Sequence, residues 1–259
     1  MGVLLQEEQD GVVTLTIDRP SVKNAINGEL MDALEERVDA LGRRADLSAV
    51  IVTGSGQESF CAGGDLKWLK RYGTGVEGAA MSRKMQGSLT AISQLPVPVI
   101  GVLNGYAIGG GAEIALACDM RIIESHGYLC FKQVQVGLIT GWSGGGRLVQ
   151  TVGYPRAIEL TTLCPRITPD RALALGLVNE VVSTGDGMDT ALAWVTKIKR
   201  GAPRAIRAMK TLLRSVSAVD IEAATHLENQ LFETVWAAPE HEEALAAFFE
   251  GRSPKFRES

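Results

Sequence analysis

Alternating and continuous apolar runs predict the first elements of the chain. Residues 3–7 and 12–17 are apolar or alternate with polar residues on either side of Asp10-Gly11, a pattern typical of a β-hairpin. Between residues 27 and 44, apolar side chains recur every three or four positions after Asn27, which is a favoured helix N-cap. The sequence therefore predicts a hairpin followed by an amphipathic helix.

Strand-like and helix-like segments then alternate along the chain. Short apolar runs predict strands at residues 49–52, 99–103, 120–123, 128–131 and 177–181. Helical patterns cover residues 65–71, 76–94, 143–152 and 154–162, and after residue 186 they cover 188–199, 203–215, 221–236 and 239–250. This order predicts an α/β core, residues 1–200, with a C-terminal helical region at residues 201–259.

Composition and charge narrow the class of protein. The 259 residues are 46% hydrophobic and 22% charged, which suits one globular domain, or a domain with an appendage. A net charge of −4 argues against a general nucleic-acid binder. The first residues lack a signal-peptide pattern and no segment has the length of a membrane span. We therefore expect a cytoplasmic protein with neither a nucleic-acid nor a membrane partner.

The cysteines and histidines show no pattern of a metal site. The four cysteines form no C-x-x-C pair, and reduced thiols are expected at Cys61, Cys118, Cys130 and Cys164. The three histidines, His126, His226 and His241, are spaced without a metal-ligand pattern. We expect no bound metal.

Two glycine-rich turns carry the first candidate chemistry. Three consecutive glycines, including Gly110, follow the apolar run 99–103 and precede a helix-forming stretch with Glu113 in its first turn. Residues 59–66 follow the apolar strand predicted at 49–52 and place Gly63-Gly64 before a short helix. One interpretation is close packing of a buried helix, with Glu113 as a surface charge. The other is a pair of N–H groups aimed at one oxygen, an oxyanion hole.

Two further motifs offer different functions. Residues 73–78 match G-x-G-x-x-G, but a dinucleotide site needs that motif directly after a strand, and here it follows a polar, helix-like stretch. We interpret it as a flexible loop. Residues 141–145 match G-x-S-x-G around Ser143, with His226 and His241 downstream, as in a serine hydrolase. Both histidines lie in amphipathic helices, which disfavours a catalytic triad.

Four stretches in the right order resemble the crotonase, or enoyl-CoA hydratase/isomerase, superfamily. Residues 59–66, S-F-C-A-G-G-D-L, and 104–119, N-G-Y-A-I-G-G-G-A-E-I-A-L-A-C-D, look like its two signatures. Residues 17–27 and 246–256 resemble its opening and its end. The resemblance implies a spiral of ββα units and a homotrimer or homohexamer formed through the C-terminal helical region. It also implies an acyl-CoA substrate, with no cofactor beyond the coenzyme A that the substrate carries.

The resemblance also implies roles for individual residues. The oxyanion N–H groups would belong to Gly64 and Gly110, and the first catalytic glutamate would be Glu113. The position of the family's second catalytic glutamate falls on Gln133, which cannot exchange protons as a carboxylate does. The expected substrate-binding residues are Lys23, Ala25, Ala62, Asp65, Leu66, Trp142, Lys255 and Phe256.

The glutamine at position 133 leaves the reaction open. The main prediction is hydratase/isomerase-type activity, with Glu113 as the acid–base group. The close alternative is a decarboxylase of a malonyl-type CoA, because loss of carbon dioxide yields the enolate with less acid–base machinery. Two other classes, a serine hydrolase at Ser143 and a non-catalytic acyl-CoA-binding protein, are kept as alternatives.

Overall fold

The computed structural model describes residues 2–201, 203–217, 229, 232–233, 236–237, 239–252 and 254. The strands are β1 (Leu4–Gln9), β2 (Val12–Ile17), β3 (Ala49–Gly54), β4 (Ser59–Cys61), β5 (Val99–Leu103), β6 (Tyr106–Ile108), β7 (Met120–Glu124), β8 (Leu129–Cys130) and β9 (Glu180–Val182). The helices are α1 (Gly28–Gly42), α2 (Leu66–Leu69), α3 (Gly75–Gln94), α4 (Gly110–Ala117), α5 (Gly144–Val152), α6 (Tyr154–Thr162), α7 (Pro169–Ala174), α8 (Gly187–Ile198), α9 (Pro203–Ser217) and α10 (Pro239–Glu250). Single 3-10 turns lie at Pro20–Val22 and Gln133–Val136.

The larger sheet has six strands in the order β1-β2-β3-β5-β7-β9. The first pair is the predicted antiparallel hairpin, and its turn residues Asp10 and Gly11 have φ of 52° and 74°, as hairpin turns of two residues favour. The other pairs are parallel. Strands β3 and β5 are buried along their whole length, which explains their continuous apolar sequence.

Helices α1 and α3 pack together over this sheet. The predicted N-cap is present, because the side chain of Asn27 accepts a hydrogen bond from the N–H of Leu30. The predicted apolar stripe of α1 is buried, including Leu34 and Val38. The α/β class and the crotonase-like fold predicted from the sequence are confirmed by these elements and by the solved structures described below.

A second, smaller sheet positions the candidate site. Strands β4, β6 and β8 are parallel neighbours in the order β4-β6-β8. Because they are parallel, their carboxyl ends lie at one edge of the sheet. The residues that follow them are Gly63-Gly64, the three glycines at the start of α4, and the turn at Gln133.

Three details differ from the sequence predictions. Residues 73–78 are not a flexible loop, because α3 begins at Gly75 with a capping box between Thr74 and Glu77. The strand predicted at residues 177–181 starts later, at Glu180, because Leu177 and Val178 are buried by packing before the ladder begins. Helix α7 and the short strands β4 and β6 were not predicted. Most of the helix predicted at 221–236 lies outside the described residues.

Membrane spans were sought among the helices of the described residues. None of these helices combines the length and the apolarity that crossing a bilayer requires.

Candidate active site

A cavity of about 270 Å³ opens where the small sheet ends. It collects most of the residues that the sequence analysis had singled out. The predicted residues among its lining are Ala62, Gly64, Leu66, Gly110, Glu113, Gln133 and Trp142. Residues far apart in the chain therefore face one volume of the size that suits a small-molecule site.

The two glycine turns lie side by side and each leaves an N–H group unused. A Cβ built on Gly63 would lie 3.1 Å from the backbone nitrogen of Gly110, so the turns are in contact. Ile26 bridges the first turn by donating to the carbonyl of Gly63 and accepting from Asp65, and the N–H of Gly64 has no acceptor in the described part of the chain. Gly110 opens α4, and among the described residues its N–H has no acceptor. This arrangement is able to bind one carbonyl oxygen with two donors.

The indole ring of Trp142 forms the wall beside both turns. A Cβ on Gly110 would lie 2.1 Å from Cζ3 of this ring, and a Cβ on Gly64 would lie 4.0 Å from Cζ2. Trp142 is itself buried, at 5% exposure. Glycine is therefore required at position 110 to make room for the ring, and the ring borders the space next to the oxyanion donors.

Glu113 is buried in the cavity wall, and four donors bind its carboxylate. The N–H groups of Trp142 and Gly144 donate to Oε2 at 2.7 and 2.9 Å. The amide of Gln133 and the N–H of Gly141 donate to Oε1 at 2.9 and 3.4 Å. These bonds stabilise the ionised carboxylate and tie α4 to the loop before α5.

Burial has the opposite effect on this carboxylate and outweighs the donors. Desolvation raises the pKa of Glu113 above its ordinary value, while the bonds from Trp142, Gln133 and Gly144 lower it. A carboxyl group with a raised pKa beside an unused pair of oxyanion donors is a candidate general acid or base.

Gln133 presents an acceptor to its surroundings rather than a donor. Its Nε2 is used on Glu113, and its Oε1 is buried without a hydrogen-bond partner among the described residues. An orphaned buried acceptor is uncommon in folded proteins and indicates a position for a ligand or water hydrogen. The side chain therefore pairs with Glu113 without offering a second group that titrates.

Three further predicted binding residues, Lys23, Ala25 and Asp65, lie outside the cavity lining. Lys23 is exposed and forms an ion pair with Glu58. The carboxylate of Asp65 caps α2 and also binds Arg19 at 3.1 Å, so it is already engaged within the chain. Ala25 is buried just before the residue that bridges the first glycine turn. The predictions for Lys255 and Phe256 fall outside the described residues.

The sequence analysis missed the apolar wall of the cavity. This wall includes side chains from α2, from α3, from the segment before α5 and from the C-terminal region, namely Leu69, Met81, Leu138, Ile139, Phe232, Trp236 and Phe248. Apolar residues at helical spacing predict a core equally well, so no signal in the sequence separates them from ordinary packing residues. The contact of the C-terminal residues with the site became visible only in three dimensions.

The competing motifs do not form sites of their own. Ser143 is buried with φ of 64°, and its Oγ has no hydrogen-bond partner among the described residues, so no histidine activates it there. The Nδ1 of His241 binds the carbonyl of Val136, and His226 lies outside the described residues. No cluster of potential metal ligands occurs in the part of the chain that the structure describes.

The fold and the cavity define an α/β protein whose cavity opens where three short parallel strands end. The sequence model of the enoyl-CoA hydratase/isomerase family matches residues 7–259. An enoyl-CoA hydratase/isomerase from Pseudoalteromonas atlantica T6c has a TM-score of 0.88 and 30% identity, with 98% of this chain and 100% of that chain covered. An enoyl-CoA hydratase from Mycobacterium avium subsp. paratuberculosis K-10 has a TM-score of 0.90 at 22% identity, with 99% of each chain covered, and supports the fold alone.

Several curated relatives are named for a different reaction, a decarboxylation. Ethylmalonyl-CoA decarboxylase from Gallus gallus is 34% identical over 247 residues, which cover 94% of this chain and 83% of that protein. The decarboxylase from Homo sapiens is 34% identical over 245 residues, which cover 93% of this chain and 80% of that protein. The chain belongs to the enoyl-CoA hydratase/isomerase family, which confirms the resemblance, and it is an enzyme that acts on acyl-CoA thioesters.

Proposed function

We propose that this enzyme stabilises the enolate of an acyl-CoA thioester between the N–H groups of Gly64 and Gly110. The observation that carries the proposal is a pair of N–H groups without acceptors among the described residues, on two touching turns that line the same cavity as Glu113. Negative charge that develops on a thioester oxygen would meet both donors and the N-terminus of α4. Preorganised donors of this kind stabilise the enolate more than the uncharged ester.

The second part of the proposed mechanism is proton transfer at the carbon next to the thioester carbonyl. Glu113 is the titratable group that lines the cavity on the α4 side, and burial raises its pKa, as is common for a general acid or base. The unpaired Oε1 of Gln133 would accept a hydrogen bond from a water molecule or from the substrate. This combination supports hydratase/isomerase-type activity with one carboxylate in place of two.

A second candidate reaction is decarboxylation of a malonyl-type CoA. The observation that favours it is Gln133, which stands where a second acid–base carboxylate would act and donates its amide to Glu113 instead. Decarboxylation supplies the enolate directly and needs a proton donor only for its final step. The 34% identity to ethylmalonyl-CoA decarboxylases supports the same candidate.

A substrate panel tests the proposal and separates the two reactions. Purified protein would be incubated with 2-enoyl-, 3-enoyl- and malonyl-type CoA esters, and the products would be identified by mass spectrometry. Turnover of a 2-enoyl or 3-enoyl ester supports the first reaction, and loss of carbon dioxide from a malonyl-type ester supports the second. Tight binding of the esters with no turnover would contradict both and favour an acyl-CoA-binding protein.

A further inference from the structure

Helix α3 carries two buried polar side chains that reach a single carbonyl of the site. Ser82 and Gln86 are one turn apart on α3 and are 0% and 4% exposed. The hydroxyl of Ser82 donates to the carbonyl of Gly141, and the amide of Gln86 donates to the same oxygen at 2.9 Å. Burial of polar groups is costly without such partners, so two donors on one acceptor are a specific arrangement.

The carbonyl of Gly141 belongs to the peptide unit whose N–H serves Glu113. That N–H is the one of Trp142, which donates to Oε2 of Glu113 at 2.7 Å. A peptide unit is planar, so two donors on its oxygen also fix the direction of its N–H. Hydrogen bonds in a chain polarise one another, which strengthens the last bond. The two helix side chains are thus connected to the carboxylate through one peptide unit.

We propose that Ser82 and Gln86 are positioning residues, which hold the Gly141–Trp142 peptide so that its N–H binds the carboxylate of Glu113. The inference rests on the proposed function of Glu113, because a positioned carboxylate matters for turnover only if it takes part in the reaction. It adds two residues from a different helix, neither of which lines the cavity.

Other charged groups near this carboxylate are independent of the two helix residues. Lys132 lines the cavity and is exposed. The guanidinium of Arg147, on α5, donates to the carbonyl of Trp142 at 3.2 Å. On α10, His241 donates through Nδ1 to a carbonyl of the turn after Lys132. None of these contacts involves Ser82 or Gln86, so they remain when those side chains are replaced.

The effect of the Trp142 bond on the pKa of Glu113 sets the direction of the change expected in the variants. The bond from the N–H of Trp142 lowers the pKa of Glu113, against the desolvation that raises it. When the peptide loses its donors, that bond weakens and the pKa of Glu113 rises further. The limb of the pH–rate profile that reports this group should therefore move to higher pH, whichever protonation state is the active one.

The test compares Ser82→Ala and Gln86→Leu with a matched control, Ser88→Ala. Ser88 is also a buried serine of α3, but its hydroxyl donates to the carbonyl of Lys84 in the same helix and to no other acceptor in the described residues. We expect kcat to fall roughly 5-fold in each of the first two variants, the equivalent of about 1 kcal/mol for one hydrogen bond, while KM stays the same. Their pH limb should move to higher pH, and Ser88→Ala should keep both kcat and the limb of the wild type.

The proposal would be overturned if both Ser82→Ala and Gln86→Leu change the melting temperature but keep the pH–rate profile of the wild type. The two side chains would then have a structural role only. Ser82→Ala removes one oxygen only, so it provides the answer if Gln86→Leu does not fold. The carboxyl carbon of Glu113 can also be titrated by NMR in protein labelled with ¹³C-glutamate, with its signal assigned by its loss in Glu113→Gln. If Glu113→Gln retains full activity, the proposed function fails. The titration of Glu113 tests the positioning independently, because a higher midpoint in Ser82→Ala supports it and an unchanged midpoint contradicts it.

Discussion

Trp142 and Gly110 are in direct contact at the centre of the site, since a Cβ on Gly110 would lie 2.1 Å from Cζ3 of the indole. The ring therefore occupies the space that any larger residue at position 110 would need. The same glycine supplies one of the two proposed oxyanion donors, so its backbone position and the ring position depend on each other.

Substitution of Gly110 by alanine should displace either the ring or the first turn of α4. Overpacking of this kind costs about 1–3 kcal/mol of stability. Movement of the N–H group should lower kcat on the order of 10²-fold, as loss of one oxyanion donor does. Thermal unfolding and steady-state kinetics would measure both effects.

Gly87→Ala is the matched control for this substitution. Gly87 lies inside α3, and a Cβ at that position meets nothing within 4 Å. Alanine there should increase stability by about 0.5–1 kcal/mol and leave kcat unchanged. Equal kinetics for Gly110→Ala and Gly87→Ala would contradict the prediction that the substitution moves a catalytic N–H group at position 110.

Replacement of Glu113 by glutamine should lower turnover on the order of 10²-fold or more, because it removes the group that exchanges the proton. The structure adds a condition for this variant. The new amide at position 113 would point its Nε2 at the present donor, Nε2 of Gln133. The amide of Gln133 therefore has to rotate so that its Oε1 accepts the hydrogen bond. Circular dichroism and a Kd for acetyl-CoA should confirm that the fold and ligand affinity survive.

The same variant also tests the raised pKa of Glu113. A carboxyl group whose pKa is higher in the folded state binds its proton more tightly when folded, so stability decreases as pH rises from its ordinary pKa to the raised value. Glu113→Gln does not titrate and should lose that decrease. Identical pH dependence of melting temperature in the two proteins would contradict the raised pKa.

Much of the fold could be predicted from the sequence, because periodicity reports burial directly. The spacing of Leu34 and Val38 was sufficient for α1, and the continuous apolar run of β5 was sufficient for that strand. The glycine turns were predicted as a pair, but their contact depends on the parallel pairing of β4 and β6, strands of three residues each, too short for a periodic signal.

The hydrogen bonds of the site were harder to predict than its residues. The sequence placed Glu113 and Gln133 in one site, and the structure brings them within 2.9 Å. It could not show that backbone N–H groups of the loop before α5 hold the carboxylate, because main-chain donors leave no trace in residue type. Main-chain acceptors leave no trace either, so the sequence does not distinguish Ser82 and Gln86, which donate to the carbonyl of Gly141, from other polar residues of α3.

Gln133→Glu places a second carboxyl group 2.9 Å from the first, at the position of the present amide donor. Two carboxylates at this distance share a proton, which raises the pKa of the pair. For a hydratase, the restored pair should increase hydration of a 2-enoyl-CoA. For a decarboxylase, the added negative charge should slow turnover of a malonyl-type CoA. Gln133→Ala should lower the rate in both assays by less than Glu113→Gln does. Rates of both reactions in the three proteins decide which is the native one.

Assembly as a homotrimer or homohexamer stays a prediction from the family. Light scattering over a tenfold dilution series should give the mass of three or six chains, because an obligate oligomer persists on moderate dilution. A single-chain mass throughout the series would contradict it.

Incorporation of deuterium tests the central claim, enolate formation at Gly64 and Gly110, most directly. The CoA ester that the enzyme converts would be incubated with the enzyme in D₂O, and the product would be analysed by mass spectrometry and NMR. The account predicts deuterium at C2 after hydration or decarboxylation, with a strong reduction of the rate in Gly110→Ala and in Glu113→Gln. Isomerisation is followed with an ester deuterated at C2, whose label Glu113 would carry to C4 or exchange with the solvent. A hydration or decarboxylation product without deuterium at C2, or the wild-type rate in both variants, would contradict it.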